Sequence, residues 1–285
     1  MYTRRRMLAA GASLVSLTAI PAVAETLHVP GLSGASPDTA PVQSGEVPVK
    51  LYLMQDASES MLPDEFRLQV SGTAAALRSD EVKRAIAKIG AVAICGGQFS
   101  SQTGQTLPHA LLRTPEEVDN YADLIEQQSR MITGFTHISD ALNEAAKTIG
   151  DSPYQAQRNV IDISGDGFER RYGDMNRSIS ADEQLMLHAT RTREATRRAA
   201  FDFDACVNGL AICTDRHDLD RYFEEVVVTP PEVWEETGVD VGRAWAVTAF
   251  EDIEMAMRSK LITELAGLKT PYNAPNISGR IVHFG

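Results

Sequence analysis

LYLMQDASESM, residues 51–61, is an apolar run that stops at Asp56 and continues with oxygen-bearing side chains at alternate positions, Asp56, Ser58 and Ser60. The unbroken apolar stretch VKLYLM, 49–54, has the pattern of a strand buried on both faces, as in a parallel sheet. Loops at the carboxyl ends of such strands gather ligands. Three roles are open for this loop: capping the next helix, carrying a phosphoryl group on a carboxylate, or holding a metal ion.

Working outward, strands and helices alternate. Pro63 opens a helix with Phe66, Val70, Ala74 and Leu77 on one face, and EVKRAIAKI follows. AVAICGGQF (91–99) is the second strand; QTLPHALLR reads as a short edge strand, because Pro108 is tolerated only at an edge. Thr114-Pro115-Glu116-Glu117 is a capping-box helix start leading into Val118, Tyr121, Ala122 and Ile125. A helix with Ile138, Leu142, Ala145 and Ile149 on its inner face follows Gly134-Phe135-Thr136. NVIDIS (159–164), VNGLAIC (207–213) and AWAVT (244–248) are further strands, separated by a polar helix at 181–200 and a short helix around DLDRYFEEV. A last helix carries Phe250, Ile253, Met257 and Leu261. The pattern predicts a doubly wound α/β domain: a mostly parallel central sheet with one antiparallel edge strand and helices on both faces. Asp162, unusual within NVIDIS, is expected to bond to neighbouring backbone.

Residues 1–24 have a basic start, a mildly apolar middle and an Ala22-Val23-Ala24 ending, which reads as an export signal cleaved before Glu25. Arg4-Arg5-Arg6 ahead of a modest apolar segment is close to a twin-arginine signal, with an ordinary Sec signal as the alternative, so a periplasmic or secreted location is expected. The apolar stretch falls short of the roughly 20 residues of a membrane span. Residues 25–45 and 269–285, rich in Gly, Pro, Ser and Thr, read as a flexible lead-in and tail around a domain at 46–268. Loss of the signal removes three arginines and no acid, taking the formal charge from −12 to −15. Such an acidic surface disfavours nucleic acid and anionic lipid as partners and suits cations. Three cysteines, Cys95, Cys206 and Cys213, make no disulfide framework. Cys206 and Cys213 stand about 23 Å apart if VNGLAI is a strand and cannot pair; burial as small apolar residues is expected.

The three loops to inspect carry Asp56, Ser58 and Ser60; Thr136; and Asp166 of SGDG. Carboxylates and hydroxyls are the ligands of hard divalent cations, and Mg²⁺ in particular takes few protein ligands and keeps waters. In this order and setting, DxSxS, Thr136 and Asp166-Gly167 resemble the metal-ion-dependent adhesion site of von Willebrand factor type A domains. The resemblance covers about Val47 to Gly267. It implies that Ser58, Ser60 and Thr136 bind Mg²⁺ (or Ca²⁺ or Mn²⁺) directly, with Asp56 and Asp166 acting directly or through water, and that a protein partner supplies an acidic ligand. EFRLQ, RNVIDISGDG, VNGLAI and MRSKLITELAG look like a bacterial family of exported proteins of unknown function. That family usually has a tryptophan after the second strand where this chain has Gly97-Gln98-Phe99-Ser100.

Structural roles compete at each position: Ser60 could cap the helix opened by Pro63, Thr136 could cap the helix at 138, and Asp166-Gly167 could only form a turn. The strand ending in Asp56 with Gly165-Asp166-Gly167 also looks like the haloacid-dehalogenase phosphatases. Yet Ser58 replaces their second carboxylate and Arg170 stands where their last acid belongs. The histidines show no metal spacing, and no GxSxG elbow is present. The expectation is a binding module rather than an enzyme, the other non-enzymatic class being a structural domain with a bracing cation. Phe168, Arg170, Arg171 and Tyr172, with His137 on the rim, are candidate partner-binding residues.

Overall fold

The apolar run at 49–54 lies in an interior strand, β1 (Val47–Asp56), of a seven-stranded sheet. The computed structural model describes residues 46–172, 180–214, 218–265 and 281–284. The other strands are β2 (Val92–Phe99), β3 (Thr103–Leu112), β4 (Ala156–Gly165), β5 (Ala205–Ile212), β6 (Ala244–Val247) and β7 (Ile281–Phe284). Their order is β3-β2-β1-β4-β5-β6-β7, parallel throughout except for antiparallel β3 at one edge. The chain leaves β1 towards β2 and β3, then returns to its other side at β4. The topological switch therefore lies between β1 and β4, whose register pairs Gln55 with Ser164, so Asp56 ends its strand beside Gly165.

Burial on both faces explains why β1 is apolar without alternation. Val49, Leu51 and Leu53 face a core with Phe66, Val70 and Leu77 of α1 (Pro63–Arg78), Val118 and Ile125 of α3 (Pro115–Glu126), and Met257 and Leu261 of α8 (Ile253–Leu265). Tyr52 and Met54 face Ile138, Leu142 and Ala145 of α4 (Ile138–Gly150) and Ala195 and Ala199 of α5 (Ala181–Phe203). Each aliphatic or aromatic side chain so buried contributes about 1.5–3 kcal/mol, which favours this two-faced arrangement over any register exposing one side. α2 (Asp80–Ile89) covers the first face, and α6 (Leu219–Tyr222) with a π-helical turn at Phe223–Val227 covers the second. Lys50, 5% exposed inside this strand, donates from Nζ to Ile149 O (2.8 Å) and Tyr154 O (3.0 Å), at the end of α4 where orphan carbonyls need donors.

Several expectations need correction. β7 comes from the stretch read as tail, so the sheet gains a strand that four residues with no long apolar run do not announce. α7 (Pro231–Thr237) was not anticipated either; Pro231 at its first position and Gly238 in left-handed conformation bound it. Asp162 bonds to a buried lysine, Lys260 Nζ, rather than to backbone. The three cysteines are free and buried, as expected. The export signal at 1–24, the lead-in at 25–45 and residues 269–280 and 285 of the tail lie outside the described residues. Among the described residues no helix is long and apolar enough to cross a membrane.

Candidate functional site

At the switch point the DASES loop turns on its own first residue: Asp56 Oδ1 accepts the Ser58 N–H at 2.7 Å. Ser58 Oγ lies 3.0 Å from Ser60 Oγ, and Ser60 Oγ donates to Asp166 Oδ1 at 2.7 Å, joining the ends of β1 and β4. A methyl group on Gly167 would stand 3.2 Å from Thr136 Oγ1 and 3.7 Å from Ser60 Oγ, so the third loop brings its hydroxyl to the same place. All five residues expected from the sequence, Asp56, Ser58, Ser60, Thr136 and Asp166, are thus gathered.

The local chemistry explains the gathering. Gly134 has φ +134°, and a Cβ there would meet Ser101 Oγ at 2.5 Å; only glycine lets Phe135 donate its N–H to that oxygen at 2.7 Å and turn Thr136 inward. Gly165 is needed for closeness, since its Cβ would fall 2.7 Å from Asp56 Oδ2. The amide of Gln69, fully buried on α1, donates to Asp56 O (2.9 Å) and accepts from Ser164 Oγ (2.9 Å), spanning the two strand ends.

The two capping alternatives are not what the structure shows. Leu62 occupies the cap of α1, its N–H donating to Glu65 Oε2 at 2.7 Å, which leaves Ser60 for Asp166. His137, without a side-chain cap bond, holds that position in α4. The buried Glu169 carboxylate takes over, accepting from Ser139 N (2.8 Å) and Ser139 Oγ (3.0 Å).

The electrostatics are those of an acid without a counter-ion. Asp56 is 0% exposed and its Oδ2 has no hydrogen-bond partner. Burial pushes its carboxyl up to about 7, helped by the neighbouring Asp166 charge and opposed by the Ser58 bonds and the backbone N–H of Asp166. Among the described residues no group of three His, Cys, Asp or Glu side chains is placed to hold a metal. The cluster is of another type, two carboxylates and three hydroxyls, the oxygen set that Mg²⁺, Ca²⁺ or Mn²⁺ accepts.

Beside it opens a cleft of ≈ 470 Å³ lined by Ser60, Thr136, Phe135, Phe168, Arg170 and Leu185, among others. Of the candidate partner-binding residues, Phe168 and Arg170 line it, and Arg170 lies 5.5 Å from the Phe135 ring centroid. Exposed Tyr172 packs on the same ring at 5.8 Å. Arg171 turns away, to Glu169 Oε1 (2.7 Å), Asp140 Oδ1 (2.7 Å) and Ser139 Oγ (2.7 Å). His137 Nδ1 faces Asp140 Oδ2 at 3.2 Å. Neither is among the residues that line the cleft. Gln69, Glu169 and Arg130, which hold the loops, were missed because nothing in their local sequence marks a partner many residues away.

The family described as "Protein of unknown function (DUF1194)" matches residues 46–269. The chain belongs to this DUF1194 family. No curated protein matches the chain. Among solved structures it is similar to the PilB minor pilin from Streptococcus sanguinis, at 11% identity and TM-score 0.56 over 81% of this chain and 64% of that one. It is also similar to proximal thread matrix protein 1 from the mussel byssus, at 13% identity and TM-score 0.50, covering 78% and 48%. A third is von Willebrand factor type A from Catenulispora acidiphila, at 10% identity and TM-score 0.44, covering 77% and 43%. The DUF1194 chain thus spans 43–64% of the lengths of these three proteins. The likeness to the pilin shows a shared fold, and that fold has the mostly parallel sheet and antiparallel edge strand that the alternation of strands and helices predicts.

Proposed function

We propose that this DUF1194 chain is an exported binding module, not an enzyme, that holds a divalent cation in the Asp56, Ser58, Ser60, Thr136 and Asp166 cluster. With that cation it engages an acidic group on a protein partner. The observation that carries this reading is the buried Asp56 Oδ2 with no partner, set beside Asp166 and the serine hydroxyls. Two acids and three hydroxyls offer far more acceptor capacity than their own protons satisfy, and a buried carboxylate without a counter-charge is costly. In this reading the Ser58, Ser60 and Thr136 hydroxyls hold the ion, while Asp56 and Asp166 balance its charge directly or through water. A bound cation supplies a Lewis-acid position for an incoming carboxylate oxygen. Mg²⁺ fits the small protein ligand set, with Ca²⁺ or Mn²⁺ as alternatives. The cleft walled by Phe135, Phe168 and Arg170 gives the partner a surface beside the ion.

Calorimetric titration with MgCl₂ tests the site: the wild type is expected to bind one ion, and Ser58→Ala to lose it. Equal binding by both proteins would remove the site. Capture of proteins from periplasmic extract tests the adhesive role, with EDTA abolishing it. A cation that raises stability while capture survives EDTA would make the ion a brace and nothing more.

A further inference from the structure

We propose that Arg130 is a positioning residue that holds the DASES loop in register with Thr136; its affinity readout rests on the cation reading above, its structural readout does not. Arg130 donates from Nε to Ala57 O at 2.9 Å and from Nη2 to Ser58 O and Thr133 Oγ1. The peptide unit between Ser58 and Glu59 is therefore gripped at both ends by one segment: its carbonyl by Arg130, and its N–H by Gly134 O at 2.8 Å. That peptide joins the two halves of the serine pair, and Gly134 is two residues before Thr136. Three of the five site residues are thus tied together through one short stretch, 130–136.

The clamp is itself mounted on the sheet. Gln98, 0% exposed near the end of β2, accepts the Met131 N–H at 2.9 Å and donates to Ser129 O at 2.9 Å, holding the backbone on both sides of Arg130. Gln128 Nε2 donates to Gln55 Oε1 at 2.8 Å, adding a bond to the residue before Asp56. A guanidinium suits this position because its planar fork reaches adjacent carbonyls at once, whereas an ammonium is a single point on a flexible stem. Ligand oxygens held only by their own loop would wander; outer partners of this kind keep them where a cation needs them.

The experiment uses the full chain as wild type, Arg130→Lys and Arg130→Met. Amide hydrogen exchange in EDTA is followed at 57–61 and 132–136, and Mg²⁺ affinity is measured by calorimetry. Both variants are expected to exchange faster in those two segments together, with β1 and β4 still protected, and to bind Mg²⁺ about 10–100-fold more weakly. Arg130→Lys, which keeps the charge, should not rescue. Unchanged exchange in either segment, faster exchange spreading through β1, or a lysine variant that behaves as wild type would overturn the proposal. If the wild type takes up no Mg²⁺ while the two segments loosen together, the cation function falls and the positioning role stands.

Discussion

Two buried aspartates on neighbouring strands are treated in opposite ways. Asp162 of β4, 2% exposed, touches Lys260 Nζ of α8, whose ammonium lies 5.8 Å from the Trp245 ring centroid. Glu264, one turn further along α8, accepts from Asn208 Nδ2 at 2.8 Å. Burial lowers Lys260 to about 7 and raises Glu264, while each draws the other back towards its charged form. Asp56 of β1, 0% exposed, has no such companion: among the described residues no lysine, arginine or histidine pairs with it, and the charge that acts on its carboxyl is that of another acid, Asp166. Where the chain carries its own counter-ion, the acid serves the core. Where the charge has no such partner, at the end of the sheet and next to a cleft, the acid is the one that the proposed cation would balance.

The contrast can be broken most forcefully at Lys260. Lys260→Met leaves Asp162 buried without its partner and is expected to cost about 3–5 kcal/mol in urea unfolding, much of it recovered by adding Asp162→Leu. A loss below about 1 kcal/mol would mean the pair is not the counter-charge it looks to be. Asp56→Asn should behave in the other sense. In EDTA it is expected to be as stable as wild type or more so, having lost a buried charge. With Mg²⁺ at a hundredfold over Kd, wild type alone should gain about 2.7 kcal/mol. Gly165→Ala attacks the same acid sterically, its methyl falling 2.7 Å from Asp56 Oδ2. A cost of about 1–3 kcal/mol is expected, with Gly104→Ala, where nothing lies within 4 Å of the new atom, as the comparison.

The smallest effect concerns an acid nearer the surface. His137 and then Arg171 hold Asp140 down at about 2, against an ordinary 3.8. A folded value below the unfolded one stabilises above pH 4 and is lost as pH falls through about 2. Asp140→Asn should therefore flatten the acid limb of the stability profile between those values and lower stability above pH 4, by an amount that screening at this half-exposed site keeps small, with the two proteins converging below about pH 2.

Much of this was legible in the chain. β1, β4 and β5 announce themselves because a strand buried on both faces must be apolar at successive positions. α3 was marked by Thr114 and Glu117, whose reciprocal bonds (Glu117 N to Thr114 Oγ1, 3.2 Å; Thr114 N to Glu117 Oε2, 3.0 Å) are strictly local. The gathering of Asp56, Ser58, Ser60, Thr136 and Asp166 was legible because each ends or follows a strand or precedes the start of a helix. What escaped depends on distance along the chain. Lys260 is 98 residues from Asp162, and Glu169 is 30 from the helix start it caps, so no window of sequence contains both partners. The capping alternative at Ser60 fails for the opposite reason: its position suits a cap, but Glu65 reaching back to Leu62 does that work. The role of Gln98 in holding residues 129–131 is likewise visible only in three dimensions.

Lys50 has a mechanical consequence. Its ammonium fastens the far end of α4 to an interior strand of the sheet, while the near end of that helix is fastened by Glu169 beside the cleft. A load on the cleft end of this helix would therefore meet a 13-residue strut tied to a strand inside the sheet rather than to an edge that could peel.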